Sequence, residues 1–327
     1  MPTRRPLPIL LALLLLALCS LGLALAVGSL PLPLSDVVAA LIGRPVASAD
    51  IVLTLRLPRA LAGFACGGLL ALAGALMQVL LRNPLADPYV LGVSGGASVG
   101  AMLAILFGFA GVAGVGIEAG AFLGALAALL LVFGLARGDG SWTQTRLLLT
   151  GVIVASGCGA VVGLLLSIAP ETQLRGMLFW LMGDLGQPGQ GWPPLLVLGV
   201  ALLLALPLAR DLNLLARGEG NARALGVDVG RLRLGVYLLA ALATAAAVTT
   251  AGAVGFVGLI VPHLVRLALG NDQRLLLPAA TLAGGSLLVL ADTLARSVIA
   301  PAQLPVGVLT AMIGVPVFLF LLERHRG

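Results

Sequence analysis

The side chains able to do chemistry in this 327-residue sequence are few and scattered. Histidine occurs twice, at His263 and His325, and cysteine three times, at Cys19, Cys66 and Cys158. Metal sites draw on ligand pairs a few residues apart. These five have no such spacing, so no metal set is expected and the cysteines read as small packing residues. All 19 basic residues are arginine. Without lysine there is no P-loop, whose lysine reaches the terminal phosphates, and no Schiff-base chemistry. No residue is assigned a catalytic role.

What remains is arginine and carboxylate. Arg56 and Arg59 flank Leu57-Pro58, and Arg296 closes a later apolar run. Such arginines can anchor to lipid headgroups, or form basic pockets that receive carboxylates in a planar, two-pronged geometry. Asp292 stands four residues before Arg296, the spacing of an intrahelical ion pair. A proton-coupling carboxylate is the alternative, and the pair is the preferred reading. In the polar stretch 211–233, Arg217, Glu219, Arg223, Asp228 and Arg231 interleave with Leu214, Leu215, Ala222, Leu225 and Val227. That spacing suits two short amphipathic helices around Gly218 and Gly226, and the stretch is either a solvated loop or a docking element. Pro84 and Pro88 force a tight turn ahead of the glycine-rich residues 91–98. No strand and no lysine accompany those glycines, so close helix packing is expected rather than a phosphate loop. His263, next to Pro262, could serve as a ligand, with capping or polar packing near the cytoplasmic helix end the preferred reading.

The elements that must hold these residues are apolar. Hydrophobic residues make up 60% of the chain and charged ones 10%, with a mean hydropathy of +1.13. Soluble domains run near 45–50% and about 25%, so a soluble enzyme, a disordered chain and a nucleic-acid binder are excluded, despite a net charge of +6. Apolar segments fall at 7–27, 56–81, 90–108, 112–136, 146–168, 192–210, 232–252, 256–269, 275–296 and 305–322. A span needs about 20 apolar residues, so 256–269 is expected to be a half-length or broken helix. The first run follows Arg4 and Arg5 and is longer than the roughly 7–15 residues of a signal core, so it reads as a retained helix. With the N-terminus inside, 14 arginines lie on the inner side and five (Arg44, Arg56, Arg59, Arg175, Arg296) on the outer. The positive-inside rule favours that orientation, with both termini cytoplasmic and Trp142 and Trp192 at segment edges. The expected fold is all-α: one polytopic membrane domain over residues 1–327 with ten transmembrane helices.

Nine stretches occur in order: R-L-P-R at 56–59, G-A-L-M-Q at 74–78, N-P-L-A-D-P at 83–88, L-G-V-S-G-G-A at 91–97, R-L-L-L-T-G-V at 146–152, L-F-W-L-M-G at 178–183, L-A-R-G-E-G-N-A-R-A-L-G at 215–226, G-F-V-G-L-I-V-P-H-L-V-R at 255–266 and L-P-V-G-V-L-T-A-M-I-G-V-P-V-F at 304–318. Together they resemble the FecCD (BtuC-like) permease family, membrane subunits of type II ABC importers for iron chelates, heme and cobalamin. The resemblance implies a homodimer in the bacterial inner membrane, with the cargo path on its two-fold axis and helices 2–5 and 7–10 as an inverted repeat. Two separate ATPase subunits would carry ATP and Mg, leaving this chain without a cofactor. They would dock on a coupling-helix loop at about 211–231, through Arg217, Glu219, Ala222, Arg223, Leu225 and Gly226.

The resemblance also implies a periplasmic binding protein that seats glutamate-bearing lobes on Arg56, Arg59 and Arg296. The cytoplasmic gate maps to Asn83 and Leu85, and to Gln144 and Thr145, where T-Q-T departs from the serine/threonine pairs of the family. Arg175 is a candidate contact for an acidic group on the cargo. Heme or a ferric siderophore is preferred over cobalamin because the family serves iron chelates most often, and no nucleic-acid partner is implied. The rival class, an ion-gradient transporter or channel, predicts unpaired acids in mid-span, where only Asp292 qualifies. An intramembrane enzyme would need a nucleophile, acid-pair or metal constellation, which the chain lacks.

Overall fold

The computed structural model describes residues 6–108, 115–136, 144–186 and 191–324. Arg4, Arg5, Arg137, Trp142, His325 and Arg326 lie outside these residues, and so does the side chain of Gln144. The described chain is helical: α1 (Pro6–Ala26), α2 (Leu34–Leu41), α3 (Leu57–Leu80), α4 (Val93–Leu106), α5 (Val115–Ala136), α6 (Gln144–Ile168) and α7 (Glu171–Leu181), then α8 (Trp192–Ala205), α9 (Ala209–Ala216), α10 (Glu219–Ala224), α11 (Val229–Ala251), α12 (Val257–Leu269), α13 (Gln273–Ala295) and α14 (Val306–Arg324). Among the described residues, seven helical stretches are long and apolar enough to cross a membrane. Three shorter apolar helices (Val93–Leu106, Val257–Leu269 and Val306–Phe320) accompany them.

Each of the ten apolar segments falls on a helix, with informative shifts at the ends. The segment expected from 90 starts at Val93, because Pro88–Leu91 forms a 3₁₀ turn and Gly92 takes a left-handed φ of +74°. The segment expected from 56 is extended backwards by a π-helical turn, Ile51–Arg56. Three short helices carry too little apolar sequence to be read as spans: α2, α7 and α10. Two of them, α2 and α7, follow a proline, Pro33 or Pro170, whose ring sets a helix-compatible φ while it lacks the N–H that the first turn would leave unpaired.

At the centre stands α3, whose residues from Ala65 to Leu80 are all buried. It packs mainly on α13 and α11, with α12 and α8 completing the sheath. In lipid no hydrophobic effect drives one apolar helix onto another, so close approach and dispersion must do it. Gly67 meets Gly284 of α13, and Gly74 meets Gly258 of α12, so closely that a Cβ at either α3 position would overlap the facing carbonyl. The expected role of glycine as a packing residue holds in the run 91–98 too, where Gly96 of α4 lies against Gly124 of α5. Outward faces are apolar, as on α1 (Leu7, Leu11, Leu15, Leu18) and α8 (Leu196, Val200, Leu203).

Candidate functional site

Helix α1 ends at Ala26, and the last four carbonyls of any helix lack intrahelical partners. Here each finds one. Leu23 accepts from the Val27 N–H at 2.8 Å, and Ala26 from the Leu32 N–H at 3.0 Å. Arg56 Nη1 donates to Leu25 at 2.7 Å and to Ala26 at 3.0 Å. Arg296 Nη2 donates to Ala24, and Arg56 Nη2 to Leu30 in the following loop. Two cations thus sit where the helix dipole is negative. Gly28 makes room, since a Cβ there would lie 3.2 Å from each guanidinium. Arg56 and Arg296 are only 6% and 8% exposed, and they serve as a cap for α1 supplied from distant sequence.

Arg59 and Asp292 form the ionic centre of this end. Arg59 Nε reaches both carboxylate oxygens, at 3.1 and 2.9 Å, and Nη2 reaches Oδ1 at 2.7 Å. Side chains only 11% and 5% exposed need such a two-pronged partner, because a buried charge left alone is costly. The intrahelical pair expected between Asp292 and Arg296 exists only at 3.7 Å. Arg296 is drawn instead to the Ala24 carbonyl, and the close partner of Asp292 comes from 233 residues away. Arg59 Nη1 donates to Gln303 at 3.0 Å. A cavity of about 450 Å³ opens here, lined by Gly28, Thr54, Arg56, Arg59, Arg296 and Gln303. Three guanidiniums against one carboxylate leave it positive; both N–H groups of Arg56 Nη1 are already used on carbonyls, whereas Arg59 Nη1 donates one to Gln303 and has a second for an arriving anion.

About 30 Å away along α13, at 1.5 Å per residue, lies the second polar region. Asp272 caps α13 by accepting from the Arg274 N–H at 3.1 Å, and Asn213 of α9 donates to the same carboxylate at 2.8 Å. Asn213 Oδ1 in turn accepts from the Gln273 N–H at 2.8 Å. Gly218 (φ +127°) separates α9 from α10, and Gly226 (φ +83°) separates α10 from α11, conformations open to glycine at little cost. The two short amphipathic helices expected around these glycines are therefore present. Ala222 is buried, whereas Arg217, Arg223, Leu225 and Gly226 are exposed. Glu219 is turned inward: Oε1 accepts from Arg223 Nη2 and Oε2 from Arg233 Nη2, both at 2.6 Å. Sequence reading passed over Arg233 and Asn213, because nothing local distinguishes them from solvated polar residues.

Near this end α3 stops in a Schellman motif, with Asn83 N–H bonded to Gln78 O at 3.1 Å and Arg82 N–H to Val79 O at 3.2 Å. Arg82 adopts φ +46° to close it, a costly conformation for a side-chain-bearing residue. Asn83 Oδ1 then accepts from the Leu85 N–H at 2.9 Å, an Asx turn that leaves both residues exposed. Asp87 caps the 3₁₀ turn through the Tyr89 N–H at 2.7 Å, and Tyr89 Oη donates to the Val254 carbonyl at 2.8 Å. Burial pushes the Asp87 carboxyl above its usual range, with the Tyr89 N–H pulling the other way. Thr145 is exposed at the start of α6. Arg175 is exposed on α7, over the Phe179 ring at 5.7 Å. His263 is buried on α12, which continues through Pro262. A larger depression of about 920 Å³ lies between α4, α5 and α6, away from these charges and almost wholly apolar.

Comparison with known proteins identifies the chain's relatives. The FecCD transport family matches residues 12–324. The hemin transport system permease protein HmuU of Yersinia pestis is 44% identical over 283 residues, 84% of each chain. The cobalamin import system permease protein BtuC of Halobacterium salinarum is 44% identical over 308 residues, 91% of this chain and 81% of that one. A solved inward-facing structure assigned to an ABC transporter of metal-chelate type is 33% identical and superposes with a TM-score of 0.84, covering 97% of this chain and 99% of the other. With a match over nearly its whole length and relatives that are import permeases, the chain belongs to the FecCD transport family.

Proposed function

We propose that this chain is the membrane-spanning permease subunit of an ATP-driven type II importer that moves a metal chelate from the periplasm to the cytoplasm. The observation that carries the reading is its near-full-length likeness to permeases of hemin and cobalamin import. Ten crossings are counted: α1, α3, α4, α5, α6, α8 with α9, α11, α12, α13 and α14. Both termini are cytoplasmic in the bacterial inner membrane, the orientation that keeps 14 of 19 arginines inside. The chain works as a homodimer, and the exposed apolar faces of α6 (Val152, Ile153, Leu164) and α14 (Met312, Leu319) are available for that contact.

Each end of α13 then has a task. The positive cavity at Arg56, Arg59 and Arg296 receives carboxylates of a periplasmic binding protein. The α9–α10 element, with Arg217, Glu219, Ala222, Arg223, Leu225 and Gly226, engages two ATPase subunits, which bind ATP and Mg. Asn83 and Leu85 on one loop, with Gln144 and Thr145 on another, close the path towards the cytoplasm. Heme or a ferric siderophore is the preferred cargo, ahead of cobalamin, and Arg175 is its candidate contact. A path of small and apolar side chains suits a large chelate, because strong contacts would hold it. An ion-gradient transporter is disfavoured by the pairing of Asp292, the acid it would use.

The test is import into proteoliposomes holding the permease, with and without its ATPase subunits. ATP-dependent uptake of hemin, ferrichrome or cyanocobalamin that vanishes without the ATPase supports the reading. Uptake at full rate without the ATPase overturns it.

A further inference from the structure

The carboxylate of Glu219 is consumed inside the chain. It opens α10, and while one carboxylate oxygen meets Arg223 on the same helix, the other meets Arg233, which lies in the second turn of α11. The Glu219–Arg233 contact is 2.6 Å, with the side chains 29% and 24% exposed. The Glu219–Arg223 contact is equally short, but Arg223 is 67% exposed and lies on the same six-residue helix, so that pair joins α10 only to itself. Gly218 and Gly226, both at positive φ, bracket α10, so its backbone connections run through residues with little steric restriction. A short helix between two glycine joints moves with whatever holds it sideways. Helix α10 packs on α9, with Asn221 Nδ2 donating to the Arg217 carbonyl at 3.2 Å, and Ala222 is buried; the charged link is the side-chain tie from α10 across to α11. Helix α11 runs from this point through the bundle, packed on α3, α5 and α8.

We propose that Glu219 and Arg233 are positioning residues that join α10 to α11, so that displacement of α10 by a docked ATPase is passed to the bundle through their ion pair, while Arg223 and Leu225 face the partner. This rests on the function proposed above and adds the route by which force enters the membrane region. It also changes the role given to Glu219, from a docking contact to an internal strut.

The test uses the full chain reconstituted with its ATPase and binding-protein partners, with hemin, ferrichrome and cyanocobalamin as transport probes. Glu219→Gln, Arg233→Gln, the double variant, Arg233→Lys and the charge exchange Glu219→Arg with Arg233→Glu are compared. The expected result is that Arg233→Gln and Arg233→Lys capture the ATPase as the unmodified chain does and still hydrolyse ATP. Cargo moved per ATP falls at least about fivefold for each Gln variant, the lower end of coupling between linked sites. The double variant falls no further, and Arg233→Lys and the charge exchange regain most of the loss. A merely structural role would lower complex yield and leave the ratio of cargo to ATP unchanged, and that result overturns the proposal. So does full transport by Arg233→Gln, or loss of ATPase capture confined to Glu219→Gln, which would make Glu219 a direct contact. If the unmodified chain captures no ATPase, or imports none of the probes, the function reading falls and takes this one with it.

Discussion

Arg56 and Arg59 are three residues apart and do different work. Arg56 hydrogen-bonds neutral carbonyls at the end of α1, whereas Arg59 neutralises a buried carboxylate. Arg56→Gln leaves the Leu25 carbonyl and part of the Ala26 demand unmet, at a cost of about 1–3 kcal/mol. A lower midpoint of thermal unfolding in detergent is the expected outcome, and an unchanged midpoint would show that the cap contributes nothing. Asp292→Ala leaves Arg59 and Arg296 buried around an empty position and is expected to cost about 3–5 kcal/mol, while replacing both members of the pair by apolar residues recovers much of it. A double-mutant cycle of Arg59→Met and Asp292→Leu, read by the same melting assay, checks this. Strict additivity of the two single effects would argue against the pair. The two roles were not separable in sequence, because an arginine at a helix end looks the same whether it meets a headgroup, a carboxylate or a carbonyl.

At the scale of elements, the helices were legible because lipid removes the alternatives. A backbone in hydrocarbon must satisfy its own hydrogen bonds, so a long apolar run is a helix. Helices α2 and α7 escaped that logic, lying in stretches with too little apolar length for a span. Helix contacts were legible only as a tendency. Glycine was read as a packing residue, yet which glycines are indispensable depends on what faces them. Gly74 abuts the Gly258 carbonyl, whereas Gly199 on α8 has nothing within 4 Å. Gly74→Ala is expected to abolish the monodisperse peak in detergent size-exclusion chromatography. Gly199→Ala should leave that peak intact and raise stability by up to about 1 kcal/mol through helix propensity. Equal behaviour of the two variants would contradict the close approach of α3 and α12.

For the whole molecule, the polar side chains gather at the two ends of the α3–α13 pair, and the outward flanks are apolar. That arrangement matches a bilayer, with the arginine-rich cavity at one face and the α9–α10 element at the other. Orientation is testable without transport. In a chain carrying Cys19→Ser, Cys66→Ala and Cys158→Ser, a single cysteine at exposed Ser35 should react with an impermeant maleimide added outside intact cells. A single cysteine at exposed Leu225 should react only after the membrane is opened. Reversed labelling would invert the proposed topology, and with it the assignment of the two faces to their partners.

The sequence by itself determined the solvent of this protein and the family to which it belongs. Both are written in composition and in ordered local motifs: the apolar runs, the arginine bias and the nine stretches from R-L-P-R onward. It also located the polar element at 211–231, since charge and glycine spacing are local properties. Only the tertiary structure decided who partners whom. Arg59 with Asp292, Arg56 and Arg296 with the end of α1, Asn213 with Asp272, and Glu219 with Arg233 join residues from 14 to 272 positions apart. A charge on a helix states that it needs a partner, and the packing of helices brought together by their glycine faces decides which partner arrives.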